Sequence, residues 1–302
     1  MMPPTVTPLD ATLGAVVTGL RLSQMDDASW KSVEEAFHQH AVLVFPGQHL
    51  TEEEQIAFAK RFGEIELLAA DPDQKAVAIS NQKPDGTVFA PDEHRFKSLR
   101  GNEGWHTDSS YMPLAAKASV LSAQVVPPTG GETEWADMRA AYDALDEATR
   151  RRIAGLSAHH SLYHSQAMIG HVVQAGAGYG YHTKGAPLRP LVKVHPATGR
   201  PALFIGRHAY GIPGLDPAES DKLLADLVDF ACRPPRVYAH RWQPGDVVIW
   251  DNRCVLHRAR PYDYREVRVM RHTRVAGERA TELAATGRDE RAGAYAPSTS
   301  NR

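Results

Sequence analysis

The sequence predicts a mainly β protein with flanking helices, built on a double-sheet jelly roll (a double-stranded β-helix core). Three observations predict it. Short apolar or alternating runs bounded by Gly, Pro, Asn and Asp recur along the chain, the pattern of strands closed by turns. These runs do not alternate regularly with helices, which argues against a doubly wound parallel sheet. A few capped, amphipathic helical stretches are inserted between them, which suits a roll carrying helices on its outside.

Taken in order, Gly14 to Leu20 reads as a short strand. Asp27 to His38 reads as a helix with Trp30, Val33, Ala36 and Phe37 on one face. Ala41-Val42-Leu43-Val44-Phe45 is a compact apolar strand closed by Pro46-Gly47. Thr51 and Glu54 form a capping box, so a helix follows with Ile56, Ala59 and Phe62 toward the core and Gly63 at its C-cap. Ala76 to Ser80 is a strand, and Lys83-Pro84-Asp85-Gly86 is a turn. Residues 83–104 show little periodicity and read as an irregular loop, either a lid over the site or a solvated surface segment.

Ser119 to Val125 alternates like a strand. After Pro127-Pro128-Thr129-Gly130-Gly131, the run Glu132-Thr133-Glu134-Trp135 is extended, and helices follow over about 137–145 and 146–155. Residues 157–188 carry no clear pattern. Leu191 to His195 and Ala202 to Ile205 are two strands. Asp216-Pro217-Ala218-Glu219 starts a helix, with proline at the first helical position. Val237 to Trp242, Val247 to Asn252 and Val267 to Val275 are strands. Residues 1–302 read as one domain, with 278–302 a polar, alanine-rich tail expected to be flexible.

Composition removes several function classes. A net charge of −2 leaves no basic surplus for a nucleic-acid backbone. No apolar run approaches the ~20 residues that span a bilayer, so no membrane partner is expected. The start, Met-Met-Pro-Pro-Thr-Val-Thr-Pro, lacks the basic and apolar regions of a secretory signal. Cys232 and Cys254 are the only cysteines. A reducing, cytoplasmic compartment is therefore expected, with no structural zinc site of the Cys-x-x-Cys kind.

The chemistry centres on Trp105-His106-Thr107-Asp108. Two imidazoles and one carboxylate on one face suit a divalent first-row metal and leave coordination positions open. On an extended strand, side chains two apart point the same way, so His106 and Asp108 can reach one ion. His257, after Trp250-Asp251-Asn252-Arg253, supplies the third ligand. Arg268 lies eleven residues further on. If the strands bearing His257 and Arg268 pair, the guanidinium enters the same cavity as a carboxylate clamp, and Thr133 can add a hydroxyl donor. Arg207 and His208 follow an apolar strand and are candidate anchors for a substrate carboxylate. His159, His160, His164, His171, His182, His195 and His240 read as hydrogen-bonded or loop histidines rather than ligands.

Together these segments resemble the taurine / 2,4-dichlorophenoxyacetate dioxygenase family from about residue 8 to Gly277. The segments are Trp105–Asp108, Thr129–Trp135, His195–Arg200, Trp250–Arg253 with His257, and Arg268-Val269-Met270 leading to Val275-Ala276-Gly277. The resemblance implies Fe(II) held by His106, Asp108 and His257. It implies 2-oxoglutarate held through its far carboxylate by Thr133 and Arg268, and O2 as the second co-substrate. Decarboxylation to succinate and CO2 then accompanies hydroxylation of a small anionic substrate. Relatives of this kind are commonly homo-oligomers, and the same is expected here.

Within the family, Asn102 matches a substrate-side asparagine of the taurine branch, whereas Leu68 and His272 stand where that branch has a histidine and an arginine. Leu9–Thr12, Ala136–Asp146, Ile205–Ala209 and Ile212–Leu215 resemble the (S)-2-phenoxypropionate branch more closely. That branch implies an aryloxyalkanoate substrate, hydroxylated beside the ether oxygen to give a phenol and pyruvate. Asn102, Arg207, His208 and His272 are then the candidate substrate contacts. The alternatives are a taurine or alkylsulfonate dioxygenase, a zinc hydrolase on the same three ligands, and a non-catalytic jelly-roll binding protein. The hydrolase needs a general base beside the metal, and none is evident.

Overall fold

A computed structural model describes residues 4–289 and 291. Strands dominate the architecture, with eight α-helices among the described residues. The largest sheet has seven strands, in the order Thr5–Pro8, Ala15–Thr18, Val42–Phe45, Val247–Asp251, Ala116–Val125, Val269–Ala276 and Val77–Ser80. Ala15–Thr18 and Val42–Phe45 run parallel, and the other neighbours are antiparallel. A three-stranded sheet places Thr133–Asp137 between Val237–His240 and Val255–Ala259.

Val42–Phe45 and Val247–Asp251, in the middle of the large sheet, are buried on both faces, so Val42-Leu43-Val44-Phe45 and Val247-Val248-Ile249-Trp250 read as unbroken apolar runs rather than alternating ones. Leu43, Phe45, Val120, Val247 and Ile249 pack with Val33, Phe37, Phe58 and Phe62 from helices Asp27–His40 and Glu52–Lys60 and the turn after the second. Val42, Val44, Leu121, Val248, Trp250 and Met270 point the other way and share a cluster with Trp135, Ala136 and Leu256 of the small sheet. The site lies on this second side.

Several local expectations hold in detail. Thr51 and Glu54 make the reciprocal capping box. In that helix Gln55 and Phe58 are buried, while Ile56 is only partly so. Gln55 Nε2 donates to the carbonyls of Val120 and Arg271 and to Thr273 Oγ1, pinning the helix to the two strands beneath it. Asp216 caps the helix Pro217–Ala231. The paired helices are Met138–Ala144 and Glu147–Ile153, separated where Asp146 caps the second.

Other expectations are corrected. Residues 83–104 are not irregular throughout: His94–Gly101 is a helix. Its mean hydropathy is low and it has no side-chain N-cap, so neither usual helix signal is present in the sequence. Residues 157–188 contain the strands Ser157–His160 and Ala186–Pro190 and a helix at Leu162–Ala167. The early part of the expected tail is folded. Arg279–Glu282 is a helical turn, Thr286–Gly287 pairs with Ala186–Pro190, and Glu282 is buried against Lys193. The remainder of that tail, residue 290 and residues 292–302, lies outside the described residues. No helix among the described residues is long and apolar enough to cross a membrane.

Burial of histidine makes the fold acid-sensitive. Burial holds the His160 imidazole well below its ordinary pKa, helped by the nearby Arg189 and Lys193. Burial pushes His164 down to about 4. An unfolded chain takes up protons on both near pH 6.5, and the folded one does not. The unfolded state therefore binds more protons below that pH, and stability falls as pH drops from about 6.5 toward 4, by up to ~1.4 kcal/mol per pH unit for each histidine. Urea unfolding of metal-free protein across that range should show a falling midpoint, and a flat midpoint would contradict the neutral assignment.

Candidate metal centre and 2-oxoglutarate site

His106 and His257 are a directly bonded antiparallel pair: His106 N–H donates to His257 O at 3.0 Å, and His257 N–H to His106 O at 2.7 Å. Opposed residues of such a pair carry their side chains on one face, and here the imidazole centroids are 4.2 Å apart. His257 sits in its own strand, Val255–Ala259, which pairs with Thr133–Asp137. That strand is separate from Val247–Asp251, which precedes it in the chain. It does not pair with the one after Arg268, which lies in the large sheet beside Ala116–Val125. The two residues reach one cavity from facing sheets, and the expectation that their strands pair is corrected.

His106 is extended for only that one bridge. Asp108 already begins a turn, and Ser109 takes a left-handed backbone (φ 53°). The short extended step still brings the three ligands together: one ligand atom each from His106, Asp108 and His257 lies within 4.8 Å of the others, and all three residues are buried. His106 Nδ1 lies 2.8 Å from Gly104 O. A carbonyl only accepts, so Nδ1 carries the proton and Nε2 keeps its lone pair for a metal. Burial pushes His106 down to about 4 and holds His257 well below its ordinary value, so both are neutral donors near pH 7. Burial alone would raise the Asp108 carboxyl. The Arg274 guanidinium beside it works against burial and holds the group well below the usual carboxylate range, so it stays ionised. Neutral imidazoles with an anionic carboxylate are the donor set that suits a divalent iron-type ion.

Asn252 anchors the ligand-bearing segment. Its Oδ1 accepts from Asp108 N–H (3.2 Å) and Trp250 Nε1 (2.9 Å), while Thr107 Oγ1 donates to its carbonyl (2.7 Å). Its Nδ2 donates to Ser119 Oγ at 2.9 Å, and Ser119 Oγ donates to Asp108 Oδ2 at 2.6 Å. The Asp251 next door belongs to a separate buried network with Arg253 and His195. His195, Asp251 and Cys254 also cluster, but both Asp251 oxygens are already taken by Arg253 and burial raises the Cys254 thiol. That group is a packed ion pair.

The cavity beside the metal ligands has a volume of about 100 Å³ and is lined by His106, Asp108 and His257 together with Asn102, Thr133, Arg268, His272 and Arg274. Arg268 is buried, and its Nε has no hydrogen-bond partner among the described residues. No carboxylate there lies within ion-pairing distance of it. The guanidinium passes over Gly131, where a Cβ would sit 3.3 Å from Arg268 Cδ and where φ is +71°. Gly131 thus makes room for the arginine, while Gly130 makes room for the backbone of Pro261 and Tyr262, where a Cβ would sit 2.7 Å from Pro261 O. Thr133 lines the same cavity, its Oγ1 accepting from Trp242 Nε1 at 3.0 Å. Asn102 stands at the C-terminal end of the helix His94–Gly101. His272 presents a buried Nε2, without a hydrogen-bond partner among the described residues, 3.8 Å from Asp108 Oδ2.

Arg207 and His208 are placed differently from the other candidates. Neither lines this cavity. Arg207 donates to Ser165 O and borders a larger groove of about 590 Å³ between the helices Leu162–Ala167 and Pro217–Ala231. His208 is buried behind His106, with Nδ1 2.8 Å from Ser165 Oγ. Sequence reasoning missed Arg274, Ser119 and Asn252. A signal for Arg274 was available: it lies two residues beyond His272, on the same face of one strand.

The taurine catabolism dioxygenase TauD, TfdA family matches the chain over residues 5–274. An (S)-phenoxypropionate/α-ketoglutarate dioxygenase of Sphingobium herbicidovorans is 55% identical over 92% of this chain and 97% of its own. A protein of the same description from Delftia acidovorans is 57% identical over 93% and 97%. Among solved structures, AAD-2 in complex with Mn(II) and N-oxalylglycine superposes with a TM-score of 0.86 at 39% identity, covering 95% of this chain and all of that one. Fold, site and likenesses define an α-ketoglutarate-dependent dioxygenase. The chain belongs to the taurine catabolism dioxygenase TauD, TfdA family.

Proposed function

We propose that this enzyme is an Fe(II)- and 2-oxoglutarate-dependent dioxygenase that hydroxylates an aryloxyalkanoate such as (S)-2-phenoxypropionate. One observation carries the co-substrate assignment: a buried arginine, Arg268, has an unpartnered Nε and opens into the cavity lined by the His106, Asp108 and His257 ligand set. A buried guanidinium without a counter-charge calls for an anion. The aryloxyalkanoate assignment rests on the likeness to the (S)-phenoxypropionate dioxygenases.

His106, Asp108 and His257 hold the iron, and Arg268 with Thr133 orients 2-oxoglutarate by its far carboxylate. The iron, when bound, supplies the oxidising chemistry. The protein fixes the positions of the reactants and keeps bulk water from them. Asn102 and His272 contact the organic substrate, a role supported by their lining the same cavity. Arg207 is a more distant carboxylate anchor that reaches the substrate from the neighbouring groove, and His208 supports the wall between them. Hydroxylation of the carbon beside the ether oxygen gives a hemiketal that breaks down to a phenol and pyruvate, while 2-oxoglutarate and O2 become succinate, CO2 and the inserted oxygen.

The paired sheets around one core cluster support a double-stranded β-helix in a single domain. The exposed Met168, Ile169 and Val172 suit a homo-oligomer, and the two free cysteines suit the cytoplasm. The helix His94–Gly101 ends at Asn102, which lines the cavity, and this supports a lid role for the segment.

Anaerobic reconstitution with Fe(II) and 2-oxoglutarate, then oxygen and a panel of aryloxyalkanoates and sulfonates, tests the reading. Phenol and succinate should appear in equal amounts from (S)-2-phenoxypropionate. Sulfite from taurine in its place would overturn the substrate, and zinc binding with no succinate would overturn the reaction.

A further inference from the structure

Arg274 enters the cavity from the strand Val269–Ala276 and is itself buried. Its Nη2 donates to Asp108 Oδ1 at 2.7 Å, and its Nη1 donates to Ser109 Oγ at 2.9 Å. The other carboxylate oxygen, Oδ2, accepts from Ser119 and lies 3.7 Å from His257 Nε2. The two oxygens of Asp108 therefore have separate tasks. Oδ2 faces the imidazoles, and Oδ1 faces a fixed cation. Ser109 Oγ continues outward to Glu66 Oε2 at 2.8 Å, and the Arg274 guanidinium lies over the Tyr179 ring at 5.6 Å. The arginine is thus held on three sides.

An ionised carboxylate buried away from water is strongly disfavoured unless a cation accompanies it. In the loaded protein the metal is such a cation, and before loading Arg274 is the one arginine or lysine paired with Asp108 among the described residues. We propose that Arg274 is a positioning residue, the internal counter-ion of Asp108, which keeps the metal site assembled in the metal-free protein and leaves Oδ2 as the ligating oxygen. This inference rests on the reading of Asp108 as a metal ligand. It goes further in assigning the second oxygen and its cation a role that precedes metal binding.

The test compares melting temperatures of full-length wild type and Arg274→Met, stripped with chelator and then saturated with Mn(II). Mn(II) should raise the wild-type midpoint by roughly a few degrees, as any ligand of the native state does. Stripped Arg274→Met should melt roughly 6 °C or more below stripped wild type, because an unpaired charge is left buried. Mn(II) should then recover at least about half of that deficit, since the metal supplies the missing charge. A deficit that is the same with and without Mn(II) would reduce Arg274 to a packing role and overturn the proposal, as would the absence of any deficit. If Arg274→Met does not fold, the double variant Asp108→Asn/Arg274→Met should fold, because it removes the stranded charge. Its failure would equally overturn the proposal. No Mn(II) shift in the wild type would remove the metal assignment, and this inference with it. A wild-type shift without selective recovery in the variant removes the inference alone.

Discussion

His257→Ala should bind Mn(II) or Fe(II) more than about 100-fold more weakly than wild type, beyond the 10- to 100-fold that loss of an outer partner of a ligand costs. Succinate formation should fall with it to background. The substitution is a clean probe because His257 pairs with His106 through backbone atoms that alanine keeps. Its ring Nδ1 has no partner among the described residues, so no other polar group is stranded. The rings of Trp250 and His106 pack at a tilt against the lost ring and will feel a small void. That affects stability, not the chemistry of the ligand set. Metal titration followed by electron paramagnetic resonance of free Mn(II) reads the affinity directly. An affinity within tenfold of wild type would exclude His257 from the ligand set.

Arg268→Met should raise the KM for 2-oxoglutarate by about 100-fold while leaving Mn(II) affinity within a few-fold. Two charge-assisted hydrogen bonds to one carboxylate contribute on the order of 3 kcal/mol together, and each ~1.4 kcal/mol is tenfold. Methionine fills much of the buried volume without the charge, so the effect is confined to recognition. Arg268→Lys should recover only part of the loss, because an ammonium cannot make the two parallel contacts. Steady-state succinate formation at varied 2-oxoglutarate, with the organic substrate saturating, measures it. A rise in the KM of the organic substrate with that of 2-oxoglutarate unchanged would move Arg268 to the substrate side.

These two residues also show how far the chain could be read in one dimension. His106, Asp108, His257 and Arg268 were identifiable because the residue types needed for metal and carboxylate binding recur in a set order and spacing. Where each sits in the fold was not identifiable. His257 occupies a separate strand in the small sheet, and Arg268 reaches the cavity from the large one. Their eleven-residue separation suggested a hairpin, and the intervening segment instead crosses between sheets. Arg207 and His208 were selected as residues following an apolar strand. The turn at Gly206, where φ is +122°, directs them toward the groove and the back of His106.

The amino-acid sequence by itself determined what is short-range. It settled the apolar strands Val42–Phe45 and Val247–Asp251, the capping box at Thr51, the helix start at Asp216 and the His106, Asp108 pair as candidate metal ligands. Each of these depends on periodicity, turn chemistry or coordination chemistry acting within a few residues. The tertiary structure decided which strands pair, that residues 279–287 fold back onto the body, and that Arg274 meets Asp108 across 166 positions of sequence. Pairing partners and buried charge partners are chosen by the free energy of burying surfaces and charges far apart in the chain. No local window of sequence contains that information.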